Sequence, residues 1–223
     1  MIASGAKTVL TAGYILAGAL SCPVATAPRV TVQLSNDPPQ YSSALSVQQL
    51  KTFKIDTKFS HGSNEAFVTS GITESNLEAN FNVGFQKLES ADANEACIRL
   101  TDLAVTIAYK PVVYIASEYP ANSCRYNTIA LHEFKHVNTD IITIKEYIPY
   151  IEKYMQQTVT AFPATEPVPA SSVEGAKSGM MEKIKTSLNT INDYMQRTRL
   201  QRQQAIDTRQ EYLRVSRACP AEK

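Results

Sequence analysis

His132-Glu133-Phe134-Lys135-His136 sets two imidazoles four positions apart, with a carboxylate directly after the first. On an α-helix, residues i and i+4 lie one above the other, so both rings can point at one cation. Glu133 is turned by roughly 100° from His132 on such a helix. It would reach a water beside the cation, not the cation itself. Zinc takes nitrogen ligands at about 2.0–2.1 Å and lowers the pKa of a bound water towards ~7. The pattern therefore predicts metal-assisted hydrolysis, with His132 and His136 as ligands, Glu133 as general base and Zn2+ as cofactor. The chain holds only three histidines, so a pair at this spacing is hard to attribute to chance.

A catalytic zinc needs a third protein ligand and an open position. The longer metzincin pattern is excluded, because Thr139 and Ile142 stand where it requires Gly and His. Asp140, one turn past His136, is awkwardly placed for a metal shared with His132 and reads as a supporting or surface residue. Glu146 and Glu152 could return only if Pro149 broke the helix. Asp207 and Glu211 are the better candidates, as alternatives for one position. An antiparallel second helix counted back from the intervening turn brings residues 206–210 level with the motif. Against them, both lie about 140–180° from the apolar seam of that helix, so it must be buried on two sides or bend. His61, in a Ser-His-Gly-Ser loop, is a weaker third-ligand candidate.

The elements that must carry these residues are legible in outline. Residues 29–34 alternate as a strand, and Asn36-Asp37-Pro38-Pro39 breaks it. Residues 46–53 suit a short Ser-capped helix. Further strand-like stretches are 66–72, 80–86, 98–109 and 111–117, with Pro111 opening the last. From 125 to 161 apolar residues recur at helical steps (Ala130, Phe134, Val137, Ile141, Ile148, Met155 and Val159). This seam leaves His132 and His136 on the opposite face, and Pro149 predicts a kink or break. After a Pro-rich turn at 162–172, a second helix is expected from 180 to 215, with Ile184, Leu188, Ile191, Met195, Ile206 and Leu213 along its seam. The predicted fold class is α+β: a small antiparallel sheet in a β-rich part (28–120), then a long antiparallel helical hairpin (124–217). Both belong to one domain over 28–223.

A wider pattern surrounds the motif: a Cys (Cys97), two strands with Pro-Val-Val-Tyr-Ile-Ala at 111–116, Ser123-Cys124, then Leu131 and the motif, and a second long helix. In this the chain resembles a family of secreted bacterial zinc-dependent proteases, itself uncharacterised, over roughly residues 97–219. The resemblance implies a zincin-like metallopeptidase acting on a peptide or protein substrate. A late histidine of that family has no counterpart here, where the only other histidine is His61.

Composition bounds the rest. The 223 residues are 43% hydrophobic and 19% charged, with a net charge of +1. That gives no basic field for nucleic acid and no signature of disorder. Residues 1–21 read as an export signal, with Lys7 before an uncharged, mostly apolar stretch at 8–21 and a cut possibly as late as 27. Lipid attachment at Cys22 is the weaker alternative. The expectation is an exported, periplasmic or secreted monomer with no transmembrane helix in the mature chain. In an oxidising compartment Cys97 and Cys124 could pair, leaving Cys22 with Cys219, although four cysteines allow three connectivities. The rival function is a cell-envelope binding or structural protein whose metal site is not catalytic.

Overall fold

The computed structural model describes residues 21–22, 26–54, 69–90, 94–162 and 166–220. The expected signal segment, apart from Ser21, lies outside these residues, as does His61.

One strand organises the sheet. β4 (Glu95–Ile115) alternates along its length, with Leu103, Val105, Ile107, Tyr109, Val113 and Ile115 all buried on one face. β1 (Arg29–Asn36) and β2 (Gln40–Ser42) lie end to end along one edge of β4, both parallel to it. The Asp37-Pro38-Pro39 break is thus a local interruption of one sheet edge, spanned by the Asp37 N–H donating to the Tyr109 carbonyl at 3.0 Å. β3 (Gly71–Glu89) runs antiparallel along the other edge, and the two-residue β5 (Val168–Pro169) pairs antiparallel with the start of β4.

This overturns the expected small antiparallel sheet. The protein is α+β, but among the described residues its sheet has five strands and is mixed, with two parallel and two antiparallel pairings. Periodicity identified strands without revealing their partners. β2 and β3 flank β4 on opposite edges, β2 parallel and β3 antiparallel to it, so strands consecutive in the chain are not neighbours in the sheet. Pro111 lies inside β4, and the stretches taken as two strands (98–109 and 111–117) are one.

That merger also corrects the cysteine pairing. Cys97 bonds Cys22, and Cys124 bonds Cys219; Cys97–Cys124 does not form. Cys97 is near the start of β4 and Cys124 lies beyond its end. At about 3.3 Å per residue, a strand this long holds them far outside the ~7 Å Cα limit of a disulfide.

α2 (Cys124–Thr160) begins at Ser123, whose hydroxyl accepts the Tyr126 N–H at 3.1 Å. It continues through Pro149, where the sequence predicts an interruption. Its buried face carries Ile129, Val137, Ile144, Ile151, Met155 and Val159 against the sheet. It also carries Glu133, and His132 and His136, contrary to the expectation that the two histidines face away from the apolar seam. Phe134, expected in that seam, is 47% exposed. α3 (Val173–Ile206) packs on α2 through Ile184, Leu188 and Met195, as its periodicity indicates. Instead of running to 215, α3 ends at Asp207, whose ψ of 59° leaves the helical region. Thr208 then caps α4 (Arg209–Arg217) by accepting the Glu211 N–H at 3.2 Å. A short α1 (Val47–Leu50) carries a capping box between Ser46 and Gln49.

α4 is fastened to the start of α2 twice. The Cys124–Cys219 disulfide is one tie. The other is Arg125, whose guanidinium donates to the Val215 and Ser216 carbonyls at 2.8 and 3.0 Å, filling acceptors at the end of α4. None of the helices among the described residues is long and apolar enough to cross a membrane.

Candidate metal centre

His132 and His136 project side by side from α2 and meet Asp207 at the α3–α4 corner. Their Nε2 atoms are 3.4 Å apart, and each faces Asp207 Oδ1, at 3.3 Å from His132 and 3.2 Å from His136. All three residues are buried, and together they form a group that could hold a metal ion. The geometry can be tested against zinc. Ligands at about 2.0–2.1 Å around a tetrahedral ion stand roughly 3.3 Å from one another. The triangle of two nitrogens and one oxygen has those edges, so the spacing of the donor atoms suits such a cation.

Each imidazole is oriented from behind. His132 Nδ1 faces Glu211 Oε1 at 3.2 Å. A carboxylate only accepts, so Nδ1 carries the proton and Nε2 keeps its lone pair when the ring is neutral. His136 Nδ1 faces the amide oxygen of Gln203 in a short contact. With both rings in this form, three acceptor atoms converge on one point. Such an arrangement calls for positive charge, either protons or a metal ion.

The surrounding carboxylates favour protonated rings. Burial lowers the His136 pKa, but the hydrogen bond to Asp207 and the charges of Glu133 and Asp207 outweigh it, and it is pushed up to about 9. His132 is likewise raised against the effect of its burial, by Asp207, Glu133 and Glu211.

Of the two carboxylates weighed for the third position, Asp207 shares the Nε2 corner. Glu211 lies behind His132 on the opposite ring nitrogen. There it accepts from Lys135 Nζ at 2.6 Å and from Arg214 Nε and Nη2 at 2.8 and 2.7 Å. The Arg214 hydrogen bonds, with lesser help from Lys135 and His132, hold its carboxyl far below the usual carboxylate range. The break between α3 and α4 is the bend the sequence required. A signal for it was available in Thr208-Arg209-Gln210-Glu211, which has the S/T-x-x-E spacing of a helix start.

Glu133 sits beside the triangle, buried against β3. Its Oε2 accepts the Thr73 hydroxyl at 2.9 Å. The strand comes so close that a Cβ on Gly71 would lie 2.5 Å from Ile129 Cγ2 and 2.7 Å from Glu133 Oε1. Burial raises the Glu133 pKa, opposed by the two histidines and Thr73. Tyr212, on α4, places its ring 5.9 Å from that of His132, and burial and the Asp207 charge raise its pKa.

The sequence reading identified His132, Glu133, His136, Asp207 and Glu211 and missed Thr73, Gly71, Gln203 and Tyr212. None of these four belongs to a local motif. Glu146 pairs with Arg202 at 2.7 Å, and Asp140 is buried among donors from two elements, Tyr109 of β4 and Arg199 and Gln203 of α3.

No protein family, curated protein or solved structure matches this chain.

Proposed function

We propose that this protein is an exported zinc metallopeptidase that hydrolyses peptide bonds, with His132, His136 and Asp207 as ligands and Glu133 as general base. The observation that carries the reading is the Nε2–Nε2–Oδ1 triangle, with edges of 3.2–3.4 Å, next to a buried carboxylate. Zinc, when bound, supplies a Lewis acid that polarises a carbonyl and makes water a stronger acid. Glu133 takes a proton from the attacking water and returns it to the departing amide nitrogen, so the C–N bond breaks with no net charge left on the chain. Its raised pKa suits both halves of that task. Thr73 fixes which carboxylate oxygen is engaged, leaving the other for the proton. The two disulfides are consistent with an extracellular setting. Kinship with the secreted zinc-dependent proteases is part of this proposal and rests on the motif and its flanking segments.

A second reading, an envelope binding protein with a non-catalytic metal, draws on burial. His132, His136 and Asp207 are only 6%, 8% and 6% exposed. One experiment separates the two. Zinc-loaded wild type and Glu133→Gln are compared on a broad peptide library. Cleavage by wild type alone, with zinc equal in both, supports the peptidase. Zinc in both with cleavage by neither supports the binding protein.

A further inference from the structure

Asp140 is almost fully buried, at 3% exposure, and it is a carboxylate surrounded by donors. Oδ1 accepts from Arg199 Nε at 2.9 Å and from Gln203 Nε2 at 2.6 Å. Oδ2 accepts from Arg199 Nη2 and from the Tyr109 hydroxyl at 3.1 Å. Four donors occupy two oxygens, which uses the capacity of an ionised carboxylate. Arg199 is held in turn by Ser75 on β3 at 3.0 Å and Gln196 at 2.6 Å. β3, β4, α2 and α3 therefore meet at this pair.

The consequence passes through Gln203. Its amide nitrogen donates to Asp140 Oδ1 and, at 3.0 Å, to the His136 carbonyl. Both partners are acceptors. A flipped amide would set oxygen against oxygen at both places, so the amide has one allowed orientation. Its oxygen must then face His136 Nδ1, and that nitrogen must carry a hydrogen. His136 can offer only Nε2 to a cation.

We propose that Asp140 and Arg199 are positioning residues of the metal centre, fixing the Gln203 amide and through it the ring of His136. The proposal rests on the reading of His132, His136 and Asp207 as ligands. Its chemistry is that of a distant acceptor choosing a tautomer. Carboxylate-backed histidines do this in one step; here the carboxylate works through an intervening amide.

The test is a double-mutant cycle in zinc affinity, titrating the metal-free full chain with Zn2+ against a competing chelator. Gln203→Leu weakens zinc by about 10–100-fold, the usual cost of losing a partner behind a ligand. Asp140→Asn weakens it comparably in the wild-type background and adds nothing once Gln203 is Leu. A merely structural Asp140 would impose the same loss in both backgrounds, and that result overturns the proposal. Wild-type affinity in Asp140→Asn overturns it equally. If Asp140→Asn does not fold, Arg199→Lys, which keeps the charge but loses the fork, takes its place in the cycle. His132→Ala is the control for the underlying reading. Zinc lost there but unchanged in the Gln203 and Asp140 variants defeats the positioning role alone, whereas zinc unchanged in His132→Ala defeats the ligand assignment itself.

Discussion

His136 Nε2 stands 3.2 Å from Asp207 Oδ1 although the two are 71 positions apart in the chain. The contact exists because α3 stops at Ile206 and the chain turns before α4 begins at Arg209. An uninterrupted helix would carry Asp207 off the packed face, and its carboxylate would leave the two imidazoles.

The two acidic residues of this corner should differ in what their loss does. Asp207→Ala removes an atom of the triangle, and its zinc affinity should fall by more than the about 10–100-fold expected of a supporting group. Glu211→Gln should lose no more than that range, because it keeps an acceptor for His132 Nδ1. Chelator competition on the two variants measures the difference. Equal losses would place Glu211 among the ligands.

Gly71→Ala tests how closely β3 presses on the general base. The added methyl group would meet Ile129 and Glu133 at 2.5 and 2.7 Å. Stability should fall by about 1–3 kcal/mol, and peptidase activity should fall with Glu133 displaced. Zinc affinity should hold, since neither ligand histidine is touched. Thermal unfolding, zinc titration and a cleavage assay together read the three effects.

The two disulfides should separate stability from metal binding. Each closes a long loop, with sequence separations of 75 and 95, and on chain entropy each is worth about 4–5 kcal/mol. Replacing Cys124 and Cys219 by Ser also releases the C-terminal end of α4, the helix whose first turn carries Glu211, so zinc affinity should drop along with stability. Replacing Cys22 and Cys97 should lower stability and leave zinc affinity unchanged.

Phe134 and Ile144 report which face of α2 is inside. Ile144→Ala should cost about 2–5 kcal/mol, as a fully buried side chain. Phe134→Ser should stay within about 0.5 kcal/mol, as an exposed one. Denaturant unfolding of the two variants decides it, and a large loss for Phe134→Ser would reverse the assignment of faces.

What was legible in the sequence follows from how local each signal is. The motif on α2 depends on five consecutive residues and needs no tertiary information. The α3 seam at Ile184, Leu188 and Met195 was likewise visible as periodicity. The inner face of α2 differs from the expected one because Phe134 sets the phase of the apparent apolar seam, yet Phe134 is exposed while His132 and His136 turn inward. His132, Glu133, His136 and Asp140 are polar and buried, as a site enclosed between a sheet and a second helix demands. Strand pairing and disulfide partners were not legible, because both depend on where the chain crosses β4. The second-row residues Gln203 and Arg199 look like solvated members of an Arg/Gln-rich helix. Only the fold shows that they turn inward to His136 and Asp140.

The central claim is that His132, His136 and Asp207 hold zinc. Its most direct test is a calorimetric titration of metal-free protein with Zn2+, run beside His136→Ala. One equivalent bound tightly by wild type, with the heat of that site abolished in the variant, is the predicted result. No binding to wild type, or binding that His136→Ala leaves intact, would contradict it.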